Sequence, residues 1–207
     1  MGLDIYFHKC NRGDIDRYEQ AHKEWAGNQP ECSKIHNDDF DKLPEEEKEK
    51  IKKEVNEWYK KEPSFKDYGI EDVGYFRKVN FLMAFFAYTG NCEFKEIAKS
   101  ELEDLKERTD KLMACKPVRR VKHWYRPEDA VTKANPVENE DYWVEKIYRK
   151  ADQALAEDLL PSQSGFFFGN TEYNHWYWHD VKEVNEWVSD LLNDLSDDEQ
   201  VLMYCWW

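Results

Sequence analysis

Apolar and polar residues alternate through the first ten positions. Leu3, Ile5 and Phe7 fall on one side of an extended chain, and Asp4, Tyr6 and His8 on the other. That period of two predicts a half-buried strand. Residues 201–207 are almost wholly apolar and rich in aromatic types, so they read as a buried strand that pairs within the sheet, the N-terminal strand being a candidate neighbour.

Between the two ends the period lengthens. Residues 14–26 form a short helix, and 28–41, with Pro30, Ser33 and several Asn and Asp, form a loop. Residues 44–61 form a helix with proline in its first turn, acids after it and lysines toward its end, an order that complements the helix dipole. Ile51, Val55, Trp58 and Tyr59 make its one apolar stripe. Residues 63–69 are a turn region. The most apolar helix is expected over 73–88, where Phe81, Leu82, Phe85 and Phe86 recur at helical spacing and Gly90 stops it. Ser100 and Glu103 form a capping box for a helix over 100–115, with Leu102, Leu105 and Leu112 as its stripe. Residues 116–126 interleave Val118 and Val121 with five bases and no acid, which predicts an exposed strand or hairpin arm. Further helices are expected over 139–160 and 178–195, the latter burying Val181, Val184, Val188, Leu191, Leu192 and Leu195.

Together these elements predict an α+β fold: a small, mostly antiparallel sheet holding both chain ends and a Phe-rich strand, packed with five or six helices. The length of 207 residues suits a single domain over 1–207, with a helical insertion at about 14–67 and a basic arm at about 116–138.

Composition narrows the class. A chain with 41% hydrophobic and 15% aromatic residues does not read as disordered. The net charge of -14 disfavours bulk nucleic acid and anionic membrane as partners, since both reward a basic face. Eight acids and one base between Asp180 and Glu199 concentrate half of that charge, which reads as a solvated helix face or as a surface for a protein partner. The five cysteines are scattered and odd in number, as expected of reduced thiols in a cytoplasm. No signal peptide is expected from MGLDIYFHKC, and no apolar run reaches the length of a membrane span.

The segment 160–177, LPSQSGFFFGNTEYNHWY, carries the most information. Phe166, Phe167 and Phe168 between Gly165 and Gly169 read as a short buried strand, and glycine beside a strand often marks the close approach of a backbone or a ligand. Ser162, Gln163, Ser164, Asn170 and Thr171 supply compact polar groups, followed by Tyr173, Trp176, Tyr177 and Trp178. Small polar groups beside aromatic walls are the composition of a ligand pocket. They also suit a turn and a helix start capped by Thr171 or Asn174.

These residues resemble the L-P-T/S-Q-S-G-F-F-F-G-x-T-x-Y pattern of a family of small phage and prophage proteins. The chain is similar to that family also in its M-G-L-D-I-Y opening (Met1 to Tyr6), in V-G-Y-F-R-K-V-N (Val73 to Asn80) and in its aromatic C-terminal strand (Tyr204 to Trp207). The similarity does not cover 14–67 or much of 116–138. It implies a phage or mobile-element setting and cytoplasmic action, and no reaction.

Three sets of residues invite chemistry. Arg77, Lys78 and Asn80 lie at the expected start of the helix over 73–88, where cations oppose the dipole; a bound anion would account for them, as would ion pairs to Glu71 or Asp72. His175 and His179 stand at metal-ligand spacing if the last helix begins by Asn174, but no H-E-x-x-H accompanies them. Lys116, Arg119, Arg120, Lys122 and Arg126, with His123, Trp124 and Tyr125, form the one dense basic patch. Nucleophile-elbow, phosphate-loop and dinucleotide-binding patterns are missing, so no catalytic residue, cofactor or metal is assigned. The leading expectation is a non-enzymatic phage-type protein that binds a small anionic or nucleotide-like ligand through Arg77, Lys78, Asn80, Gln163, Ser164, Thr171 and Tyr173, in the service of countering host defence. The alternatives are an inhibitor module working through its acidic helices and a metal-dependent hydrolase.

Overall fold

The computed structural model describes residues 2–90, 92–124, 142–165 and 168–207. The chain divides into two compact units, one of Met1–His8 with Val73–Trp207 and one of Lys9–Asp72. The insertion expected at about 14–67 falls inside the second.

The fold is α+β. A four-stranded antiparallel sheet contains β1 (Asp4–Asn11), β2 (Glu71–Arg77), β3 (Phe94–Ile97) and β6 (Glu199–Trp206), in the order β2-β1-β6-β3. The two strands nearest the chain ends are neighbours at its centre. Leu3, Ile5, Phe7, Val201, Met203 and Cys205 turn their side chains into the core and are almost fully buried. They meet α5 (Lys99–Met113) and α7 (His175–Asp194), whose stripes Leu102, Leu105, Leu112 and Val181, Val184, Val188 are inaccessible to solvent. The other face of the sheet carries a run of rings, Tyr75, Tyr6, Tyr204 and Phe94, with successive centroids 5.1, 6.3 and 5.2 Å apart.

The helix expected over 73–88 is instead two elements. The first half is strand β2, and only α4 (Phe81–Phe85) is helical. Val73, Tyr75 and Phe76 favour a pleated surface, and Gly74 costs a helix interior about 1 kcal/mol. Lys78, at φ 62°, then lies in the left-handed region and separates strand from helix. Gly74 has a packing reason: a Cβ there would stand 2.5 Å from Trp187 Nε1, which donates to the Val73 carbonyl at 2.7 Å.

Other differences are local. The helix expected over 100–115 opens at Lys99, and its cap lies two residues early, with the Glu101 carboxylate accepting from the Ala98 N–H at 2.9 Å rather than Glu103 pairing with Ser100. The expected helix over 139–160 is β5 (Tyr142–Ile147) followed by α6 (Lys150–Leu159). β5 pairs antiparallel with β4 (Arg119–Trp124) in a two-stranded sheet, to which the described part of the basic arm contributes one strand; residues 125–141 lie outside the described residues. The Phe-rich segment contributes no strand among the described residues. Phe166 and Phe167 lie outside them, and the Phe168 N–H donates to the Gly165 carbonyl at 3.1 Å. Phe168 is buried through ring packing against Trp207, 5.6 Å away and nearly perpendicular, not through strand pairing.

In the second unit, α1 (Asp14–Gly27) and α3 (Glu45–Tyr59) are joined through Trp25 and Trp58, with a four-residue helix, α2 (Asn37–Phe40), between them in the chain. The two indoles stack at 4.1 Å, and each donates to the other residue's carbonyl at 3.0 Å. Most of α3 is solvated, and its Lys48–Glu45, Lys52–Glu49 and Lys60–Glu57 pairs are exposed and of small energetic weight.

The Gly74 contact yields a direct expectation. Gly74→Ala overpacks the indole, which Phe7 and Phe76 also hold at 4.4 and 5.2 Å, and lowers stability by about 1–3 kcal/mol in chemical denaturation. Gly27→Ala, where a Cβ meets nothing within 4 Å, is the control and leaves the transition nearly unmoved.

Candidate functional site

The end of β2 and the loop before α7 meet at Asn80. Its side chain is buried, and its amide donates to the Phe168 carbonyl at 3.2 Å and the Asn170 carbonyl at 2.8 Å. Two satisfied bonds on a buried amide are needed here, because an unmade one would cost about 1–3 kcal/mol. Lys78 is fixed from the other side by its N–H, which donates to the Leu3 carbonyl at 2.9 Å. The Lys78 stem crosses Gly169, where an added Cβ would come within 3.3 Å of it, and Gly169 itself sits at φ 87°. The close approach that glycine marks is therefore that of the lysine stem.

These contacts leave a hollow of about 210 Å³. Arg77, Lys78, Asn80 and Phe81 line it from the end of β2 and the start of α4, Ser162, Gly169, Asn170 and Glu172 from the segment before α7, and Asn174, Trp176, Tyr177 and Asp180 from the start of α7. Asn174 caps α7 by accepting from the Trp176 N–H at 2.9 Å, and the first two turns of that helix bring Trp176, Tyr177 and Asp180 to the hollow. Tyr177 is anchored by donating to the Leu160 carbonyl at 2.8 Å, and its burial pushes the phenol well above its usual range.

Of the residues singled out in the sequence, Arg77, Lys78 and Asn80 line this hollow, although Arg77 ends a strand rather than opening a helix. The argument from cations opposing a helix dipole therefore does not apply. Gln163, Ser164, Thr171 and Tyr173 are not in its lining. Ser164 and Thr171 are exposed and Gln163 is half-buried. Tyr173 works behind the wall, its hydroxyl accepting from the Ser162 N–H at 3.1 Å and its ring packing edge-on against Tyr177 at 4.8 Å. Trp176, expected only as part of an aromatic wall, joins the lining together with Glu172 and Asp180. Placing the start of the last helix at His175 rather than Trp178 would have put Trp176, Tyr177 and Asp180 together at helical spacing.

The charges are unevenly matched. Arg77 Nε lies 3.9 Å from the Asp4 carboxylate, which is shared with the Tyr75 hydroxyl at 2.6 Å. Lys78 has no carboxylate at ion-pair distance among the described residues. Glu172 accepts from the side-chain amides of Asn170 and Asn174 at 3.2 and 3.4 Å. Asp180 is mostly buried; desolvation first, then the nearby Glu183, pushes its carboxyl up to about 7.

His175 and His179 do not act as a pair. His175 Nδ1 accepts from the Lys146 N–H at 3.3 Å, and burial lowers its pKa. His179 lies on the surface with Nδ1 3.9 Å from Asp180 and Nε2 3.6 Å from Glu183. These three are the set of ligand-type side chains that cluster among the described residues, with His179 and Glu183 exposed to solvent. Comparison with protein-family models, with curated proteins and with solved structures finds no match.

The Asp180 environment predicts a pH-dependent stability. Its folded pKa, about 7, exceeds that of an unfolded aspartate, so its favourable contribution is complete below about pH 4 and is lost as pH rises through 7. Asp180→Asn remains neutral and removes that loss. Thermal denaturation should show the variant more stable than the parent at pH 8, by on the order of 2 kcal/mol, and close to it at pH 4. An equal difference at both pH values would contradict this account of the site.

Proposed function

We propose that the hollow binds a small anionic ligand and that the protein acts by holding it rather than by transforming it. The observation that carries this reading is Lys78: a cation held against a glycine on the wall of a concave site, with no partner carboxylate at ion-pair distance among the described residues, beside Arg77. Two cations and the amides of Asn170 and Asn174 offer donors suited to a phosphate or a carboxylate. A volume of about 210 Å³ favours a compact ligand, since pockets for drug-sized molecules start at about 300 Å³. The phage-like pattern of the Phe-rich segment adds the setting to the proposal: action in a host cytoplasm, where sequestering a small anionic molecule would counter a defence response.

Inorganic sulfate, a dianion throughout the neutral range, tests the site without confusing its own titration with that of the protein. Binding followed by calorimetry should be several-fold tighter at pH 6 than at pH 8. Below about 7 Asp180 is neutral, and above it the carboxylate repels the anion alongside Glu172. Arg77→Ala and Lys78→Ala should each weaken binding by about 10-fold or more, the worth of a hydrogen bond to a charged group. Sulfate that fails to bind, or binds equally well to both variants, would overturn the reading.

A further inference from the structure

We infer that the anion taken by this hollow carries a flat aromatic ring that rests on Trp176, and that the ligand class is a nucleoside monophosphate; this rests on the anion-binding reading above. Trp176 is 54% exposed, an unusual state for the largest apolar side chain, and it lies on the wall of the hollow. Its position is fixed from both sides. The Trp176 N–H is bound by Asn174 at 2.9 Å, and its ring lies 5.7 Å from that of Trp143 at 28°. Trp143, on β5, in turn stacks on His123 of β4 at 4.4 Å and 14°. The exposed indole is thus a braced platform, and such a platform stacks a base with little ordering cost.

Glu172 and Asn170, whose side-chain oxygens can accept from hydroxyl groups, line the same hollow as the cations and the platform. Anion donors, hydroxyl acceptors and a stacking surface thus line one hollow, the three kinds of group that the phosphate, sugar and base of a nucleotide call for. The hollow, at about 210 Å³, is too small for the whole molecule, so the phosphate and sugar enter while the base lies over Trp176 at the mouth. The net charge of -14 argues for a mononucleotide over a polynucleotide, because a long polyanion would be repelled by the chain as a whole while a single phosphate meets only local cations.

The experiment compares ribose phosphate with adenosine monophosphate on the intact protein, by calorimetry and by tryptophan fluorescence. The nucleotide should bind at least about 10-fold more tightly and quench the indole emission, given what base–aromatic stacking contributes. In Trp176→Ala the ratio of the two affinities should fall to about one, and in Trp176→Phe, which keeps a ring, part of it should return. Equal affinity for the two probes in the parent protein, or an unchanged ratio in Trp176→Ala, would overturn the inference while leaving anion binding in place. If neither probe binds, both the inference and the reading beneath it fall.

Discussion

The arrangement depends on one buried amide. Asn80 Nδ2 holds the carbonyls of Phe168 and Asn170, residues about 90 positions away in the chain, against the end of β2. That pair of bonds ties the loop before α7 directly to the end of β2, beside Arg77 and Lys78. The loop is held by these hydrogen bonds together with the packing of Phe168 on Trp207 and of Tyr173 on Tyr177. Leu82 and Met83, close to Asn80 in sequence, are fully buried, so the clamp is anchored in the core, while the bonds themselves face the hollow.

From that clamp the electrostatics follow. Lys78 is led past Gly169 by a left-handed backbone, which places its stem where a side chain on residue 169 would collide. Asp180 enters the same space from α7 and is partly desolvated there, which raises its pKa into the neutral range. A site that gathers two cations, a half-desolvated acid and an exposed indole within one small concavity has a chemical bias. Under the proposed reading it favours ligands that combine negative charge with a ring, and ionisation of Asp180 near neutral pH offsets part of the positive charge of Arg77 and Lys78.

Much of the fold was legible. The alternation of Leu3, Ile5 and Phe7, the apolar C-terminal run, and the stripes Leu102–Leu105–Leu112 and Val181–Val184–Val188 are simple periods, and each lies where its period places it. The segment 73–88 was not legible, because its apolar residues satisfy a helical period while Gly74 and the left-handed Lys78 divide it. β3 and β5 are short strands whose pairing is set by distant partners rather than by local pattern. For the site, sequence pointed to Arg77, Lys78 and Asn80 for the wrong local reason. It could not separate Gln163 and Ser164, which miss the hollow, from Asn170 and Glu172, which line it, because all are small polar residues in irregular chain. Asp180 was hidden inside an acidic run that is otherwise solvated.

The central claim is that the Asn80 clamp makes one anion site from two distant segments. Its most direct measurement is a map of amide and arginine side-chain NMR shifts as sulfate is added, made on the parent protein and on Asn80→Ala. The account predicts shifts confined to Arg77, Lys78, Gly169, Asn170 and the first turn of α7, and their loss in the variant, whose fold should otherwise persist. Shifts scattered over other lysine-rich surfaces, or the same local pattern in Asn80→Ala, would contradict it.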